Sequence, residues 1–372
     1  MTDRQITRRE FMKDSAVVAT GVAAATGVAA AVGAARGAQD AAAIRKTRSY
    51  HAQMEYRRLG KTGLWVSAVC LGGHWKRIKE VIDARGHVGA IDPPKAPGDA
   101  ERFHKNRHDV VSRCIDVGIN LVDACSGGEI MTYARALRGR REKMYFSYSW
   151  YEKEPRFEGW RTAKALLRGL DEGLRDARLD YCDLWRISPH TRSSRHSQGE
   201  VDEMIRALDT ARKQGKCRFT GLSSHDRPWL RKVIAKYPDV IQVVLTPYTA
   251  DSKALPTDSL FEAVRKHDVG VLGIKPFASN SLFEGDGSPD SPHAEADDRR
   301  ARLAIRHILC NPAITAPIPG LISIHQVDNL LAALKERRRL DRAEKALLDK
   351  AGDEMWTRLP EGYQWLKDWR YV

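Results

Sequence analysis

Lys275 closes the run GVLGIKPF (Gly270–Phe277), which puts a charge at the end of an otherwise apolar, strand-like stretch. Burying an ammonium is costly, so this position is hard to explain by packing alone. Other short apolar runs end in the same way: Asp123 and Cys125 end one, Ser149 another, Arg186 with Ser188 and His190 a third, and His225 a fourth, while His74 follows the first. Arg186 and Lys275 suit an anion or a developing negative charge, and Asp123 can balance Lys275. His190 and His225 can give or take a proton at neutral pH, because an imidazole titrates near about 6.5. Structural roles stay open as well: an outward ion pair for Arg186, a satisfied hydrogen bond for either histidine, a packed thiol for Cys125.

Such residues act together only if the fold gathers them. Eight apolar or β-branched runs lie at Trp65–Gly73, Asn120–Cys125, Lys143–Trp150, Asp183–His190, Phe219–His225, Val240–Tyr248, Gly270–Phe277 and Ile314–Gly320. Segments of helical period separate them, among them Trp160–Ala177, Val201–Gln214 and Asp297–Cys310. Eight β-then-α units predict an α/β fold, a (β/α)8 TIM barrel, with a doubly wound open sheet as the alternative. Ahead of them, LGKTGL within Met54–Gly73 predicts an N-terminal β-hairpin. In a barrel the strand ends share one rim, where the polar residues above would meet.

The segments YRRLGKTGLWVSAVCLGG, GINLVDA, LDYCDLW, GKCRFTGLSS and NPAITAPIPG, in this order and spacing, resemble the aldo-keto reductase superfamily from Met54 to about Leu334. The resemblance implies hydride transfer between a nicotinamide cofactor, NADP(H) or NAD(H), and a carbonyl, served by an Asp, Tyr, Lys and His. Only the Asp is matched, by Asp123. Asp123 runs into ACSGGE with no tyrosine at the expected place, and Tyr133 falls inside the next helical pattern. Ser149 stands for the Lys and Ser188 for the His, which makes the nearby His190 the better acid–base candidate. Loss of a positioned acid of this kind typically lowers turnover by roughly 10²–10⁴-fold. For the cofactor, the resemblance implies Ser223, Ser224, Gln242, Pro319 and Gly320. The helix after Gly320 reads SIHQVDNLL where the family tends to end in Glu-Asn, a departure at the adenosine side.

The 372 residues are 42% hydrophobic and 30% charged, enough to build a full core. The net charge of +14 is interleaved with acids on helical patterns, as in Leu334–Glu354, which predicts a solvated amphipathic face and no nucleic-acid partner. Six cysteines without a CxxC pair suggest neither a zinc site nor an iron–sulfur cluster. The first residues differ from the rest: TRREFMK (Thr7–Lys13), the uncharged Ala16–Val32 and small residues near Ala34–Ala38 resemble a twin-arginine export signal with Arg8 and Arg9 as its pair. The run is short and weakly hydrophobic for a permanent membrane span. The expected organisation is therefore signal 1–38, linker 39–53, barrel 54–338 and a C-terminal helix with an aromatic-rich tail 339–372, exported to the periplasm or beyond. Three functions remain open: a nicotinamide-dependent oxidoreductase acting on a carbonyl or polyol, including carbohydrate; a non-catalytic sugar- or polyol-binding barrel; and a metal-dependent lyase or isomerase using His74, Asp123, His190 and His225.

Overall fold

The structure is a computed structural model that describes residues 39–82, 99–189, 192–252 and 259–369; Arg8, Arg9 and His190 lie outside them. The chain divides into two compact units, Met1–Thr47 and Arg48–Val372. In the first, residues 39–45 are helical. The second carries everything that follows.

Strands β1 (Tyr56–Arg58) and β2 (Trp65–Ser67) form the expected antiparallel hairpin. Its turn needs Gly60 and Gly63, which hold φ of 50° and 69°. The predicted first strand, Trp65–Gly73, is in fact two pieces. Ser67 Oγ turns back onto the Val69 carbonyl at 2.6 Å, and after this bend Cys70–Gly72 enters the barrel.

Seven parallel strands follow in sequence order: β3 (Leu121–Ala124), β4 (Tyr145–Tyr148), β5 (Cys182–Ile187), β6 (Cys217–Ser223), β7 (Val243–Pro247), β8 (Gly270–Ile274) and β9 (Ala316–Ile318). Leu71 bridges to Val122 and Gly72 to Gly320, so the Cys70–Gly72 stretch is the eighth stave and joins both edges. This seam is thin. A Cβ on Gly320 would stand 2.1 Å from the Gly73 carbonyl oxygen, and one on Gly72 would meet Ile318 and Pro319.

Helices follow each stave as the pattern predicts, with starts fixed by local caps. Gln198–Lys213 begins earlier than its periodicity suggests because Ser197 and Glu200 form a reciprocal capping box. Ala163–Ala177 begins later, at Thr162, whose hydroxyl accepts from the Ala165 amide. The single amphipathic stretch predicted over Leu334–Glu354 is broken. One helix, Ile324–Lys335, ends there, and Asp341 and Glu344 start another, Arg342–Thr357, with a second capping box. The latter is only partly solvated: Leu348, Ala351, Met355 and Trp356 pack with Leu303, Ala304, Leu282 and Leu366 in a satellite core. The main core fills the barrel with Leu121, Tyr145, Leu184, Leu245, Leu272 and Ala316. Among the described residues no helix is long and apolar enough to cross a membrane.

Candidate active site

Side chains alternate along a strand, so a residue two beyond an inward core position also points inward, nearer the rim. Leu121 is followed by Asp123, Tyr145 by Ser147 and Ser149, and Leu184 by Arg186 and Ser188. The rule therefore places these polar residues at the carboxyl-end mouth. There they line or back a cavity of about 370 Å³ whose wall includes Asp123, Arg186, Ser223, His225, Lys275 and Gly320.

Asp123 and Arg186 form a buried bidentate ion pair, Nε to Oδ1 and Nη2 to Oδ2 both at 2.8 Å. Ser147 donates to Asp123 Oδ1 at 2.6 Å, and Arg186 Nη1 donates to Ser188 Oγ at 2.9 Å. Burial works against the guanidinium charge, but the facing Asp123 carboxylate outweighs it and drives the pKa of Arg186 up. Asp123 was expected to balance Lys275, but Arg186 takes both carboxylate oxygens. Lys275 has no share in them.

Ser149 and Ser188 are tied together by Glu154, a residue that the sequence pattern does not single out. Ser149 Oγ donates to Glu154 Oε1 at 2.6 Å, and the Ser188 amide to Oε2 at 2.9 Å. Burial pushes the Glu154 carboxyl up to about 7, against the pull of these donors and of Arg156 and Arg186.

A second buried acid, Glu129, organises His74 and Cys125. Its Oε1 accepts from the His74 amide at 2.6 Å and pairs with His74 Nδ1 at 2.7 Å; its Oε2 accepts from the Cys125 amide at 2.7 Å. Burial raises the Glu129 carboxyl, but His74 and the two amides prevail and hold it below its usual range. Burial pushes the Cys125 thiol up. His74, beside the Cys125 sulfur and this carboxylate, is held well above the usual imidazole range. Potential ligand atoms of His74, Cys125 and Glu129 lie within 4.8 Å of one another, the one such group among the described residues. Both oxygens of Glu129 are already engaged by backbone amides, so the trio reads as a brace for two loops. Of the metal set His74, Asp123, His190 and His225, His190 lies outside the described residues; among the others Asp123 is taken by Arg186, and the His225 ring stacks on Trp365 with centroids 4.1 Å apart.

Lys275 is partly buried at φ 57°, and desolvation lowers its pKa, opposed by Tyr363 and Cys125. Of the nine non-glycine residues with positive φ among the described residues, His74, Lys275, Ser279 and Asn280 line this one cavity. Strain of that kind gathers where a side chain must be aimed.

Tyr363 and Trp365, from the tail turn Glu361–Trp369, form part of the cavity wall. Their only sequence signal is the aromatic richness of the tail. Tyr133, as expected, is no substitute donor at the mouth: it is fully buried, with its hydroxyl on the Gly72 carbonyl.

Ser223, Pro319 and Gly320 line the mouth cavity. Ser224 alternates away, bonded to the Ser193 hydroxyl at 2.6 Å. Gln242 precedes β7 at its amino end, where its side chain accepts from the Thr220 amide at 3.2 Å. Beside the mouth lies a groove between the loop after β8 and helix Ile324–Lys335; it shares Lys76, Phe277, Asn280 and Gly320 with the cavity. Its acids are already engaged, Asp297 by the amides of Glu284 and Gly285 and Asp298 by His325. The groove's cations are Lys76, bonded to the Ser279 hydroxyl, and Arg77, bonded to the Gly285 carbonyl, beside a helix N-terminus capped by Ser323; with its acids engaged, this donor set suits the phosphates of an extended dinucleotide only if they share or replace those contacts.

The comparisons agree with this geometry. Residues 104–302 match the family described as "Aldo/keto reductase family". The chain is similar to L-galactose dehydrogenase of Arabidopsis thaliana, 26% identical over 79% of this chain and 92% of that enzyme. It is also similar to L-glyceraldehyde 3-phosphate reductase of Escherichia coli (strain K12), 24% identical over 62% of this chain and 64% of that one. An aldo-keto reductase from Bacillus halodurans, solved in its holo form, shares the fold with a TM-score of 0.54 at 22% identity, over 80% of this chain and 96% of that chain. Barrel, hairpin and family match together place the chain in the aldo/keto reductase family of oxidoreductases.

Proposed function

We propose that the protein is an exported, nicotinamide-dependent oxidoreductase acting on a carbonyl or polyol, with a sugar as the favoured class. Aldo-keto reductases generally use NAD(P)H. The observation that carries the reading is the polar mouth cavity with the adjoining groove, a concave site of the size that suits a small ligand. When bound, the cofactor would supply or accept the hydride. Arg77 would face its phosphates, Ser223 and Gly320 would border its reactive end, and Lys275 and Arg186 would stabilise negative charge on substrate oxygen. The two relatives, a dehydrogenase named for L-galactose and a reductase named for L-glyceraldehyde 3-phosphate, support a polyhydroxylated substrate. Native mass spectrometry of the mature protein, alone and with added NADPH or NADH, tests this: a retained or bound dinucleotide is expected. A protein that binds L-galactose but neither nucleotide would be a sugar-binding barrel.

Export rests on Arg8 and Arg9 with the uncharged run behind them. Replacing both by Lys is expected to leave the uncleaved precursor inside the cell, as read by fractionation and immunoblot. Undiminished export of the double variant would refute it.

A further inference from the structure

We propose that Tyr363, carried to the barrel mouth by the C-terminal tail, is the proton-transferring residue of this site, with Lys275 and Lys76 as its positioning cations. The inference rests on the redox reading above and adds the group that reading lacks. Reduction of a carbonyl leaves an oxygen that must take a proton, and both carboxylate oxygens of Asp123 are already occupied by Arg186 and Ser147.

The tail holds Tyr363 in place by contacts on either side. Leu366 is fully buried in the satellite core, Trp365 stacks on His225, and the Tyr363 amide donates to the Pro360 carbonyl at 2.8 Å. The ring itself faces the cavity. Lys76 Nζ stands 3.8 Å from its centroid and Lys275 Nζ 5.7 Å. Lys76 is fixed in turn by its bond to the Ser279 hydroxyl. Lys275, Lys76 and His74 are the foremost charged or titratable groups acting on the phenol. Burial raises its pKa, but the two lysines more than reverse this and bring it down to about 8.

When bound, the nicotinamide cofactor would supply the hydride that forms a C–H bond at the carbonyl carbon as the C=O π pair moves to oxygen. That oxygen takes the proton of Tyr363, whose O–H bond breaks to leave a tyrosinate beside Lys275 and Lys76. Water then returns the proton. In the reverse direction the tyrosinate removes the alcohol proton. Reduction should therefore fall, and oxidation rise, as pH climbs through about 8.

Ultraviolet difference titration of the full mature chain, without substrate, gives the first test. A tyrosine ionising near 8 is expected in the wild type, absent from Tyr363→Phe, and moved toward the ordinary value of about 10 in Lys76→Met. The second test follows NADPH oxidation with D,L-glyceraldehyde. Tyr363→Phe should lose roughly 10²–10⁴-fold in kcat with NADPH affinity unchanged, and Lys76→Met should lower kcat less than Tyr363→Phe does while its alkaline limb moves upward. A wild type without the low tyrosine ionisation overturns the proposal. So does a Tyr363→Phe variant with wild-type kcat, which leaves the redox reading standing. Failure of the wild type to bind either dinucleotide removes the redox reading and the proton role together.

Discussion

Arg186→Met unfolds the barrel more readily by about 3–5 kcal/mol, the usual cost of stripping one partner from a buried ion pair. The methionine nearly fills the space of the arginine stem, so lost volume contributes little. What remains is a carboxylate 6% exposed with only Ser147 to satisfy it, in a wall where Ser188 has also lost its donor. The pair as a whole stabilises much less than this figure, because forming it costs the desolvation of two charges. The double variant Asp123→Leu/Arg186→Met is accordingly expected to regain most of the loss. Urea unfolding of the four proteins of the cycle measures both effects. A single-variant loss below about 1 kcal/mol, the range of exposed pairs, would mean that water reaches the pair.

Lys275→Gly should separate stability from activity. A side chain in the left-handed region costs roughly 1–2 kcal/mol, and glycine removes that strain while gaining freedom in the unfolded chain. The expected outcome is a stability unchanged or raised by about 1 kcal/mol, with turnover reduced by at least about 10²-fold as the cation beside Tyr363 and the substrate oxygen disappears. Thermal unfolding and steady-state kinetics on the same preparation decide it. If turnover persists, the strained lysine serves the fold; if stability collapses, its stem packs more than its exposure suggests.

The barrel, the hairpin and most of the rim were legible in the sequence because strands repeat every two residues. Once Leu121 and Leu184 are known to face inward, Asp123 and Arg186 follow; Lys275, three beyond the inward Leu272, does not, and it reaches the cavity from a left-handed residue just past its strand. Pairings were less legible than positions. Asp123 was expected opposite Lys275, but Arg186 reaches its carboxylate first, and no one-dimensional pattern ranks two cations by reach. Gln242 matched a family position, yet it sits at the amino end of its strand, where a small difference in alignment changes which end of the barrel it serves. Glu129 and Glu154 look like ordinary solvated acids in sequence, since their burial is created by loops that fold over them. Tyr363 gave no signal beyond tail composition: its place on the cavity wall comes from the tail turn Glu361–Trp369 that follows the last helix, which local periodicity does not encode.

The seam between Gly72 and Gly320 has a consequence for how the molecule comes together. Each parallel neighbour within β3–β9 is reached through one intervening helix, whereas this junction joins the two ends of the barrel sequence. Its closure entropy is the largest in the fold and is recovered only when all other staves are already in order. The junction should thus form late and open early, and the residues around it belong to the cavity wall. Partial opening there would spread the binding mouth before the rest of the barrel unravels, so a ligand bound across the seam would act as a clasp, slowing unfolding by holding together the two staves that meet last.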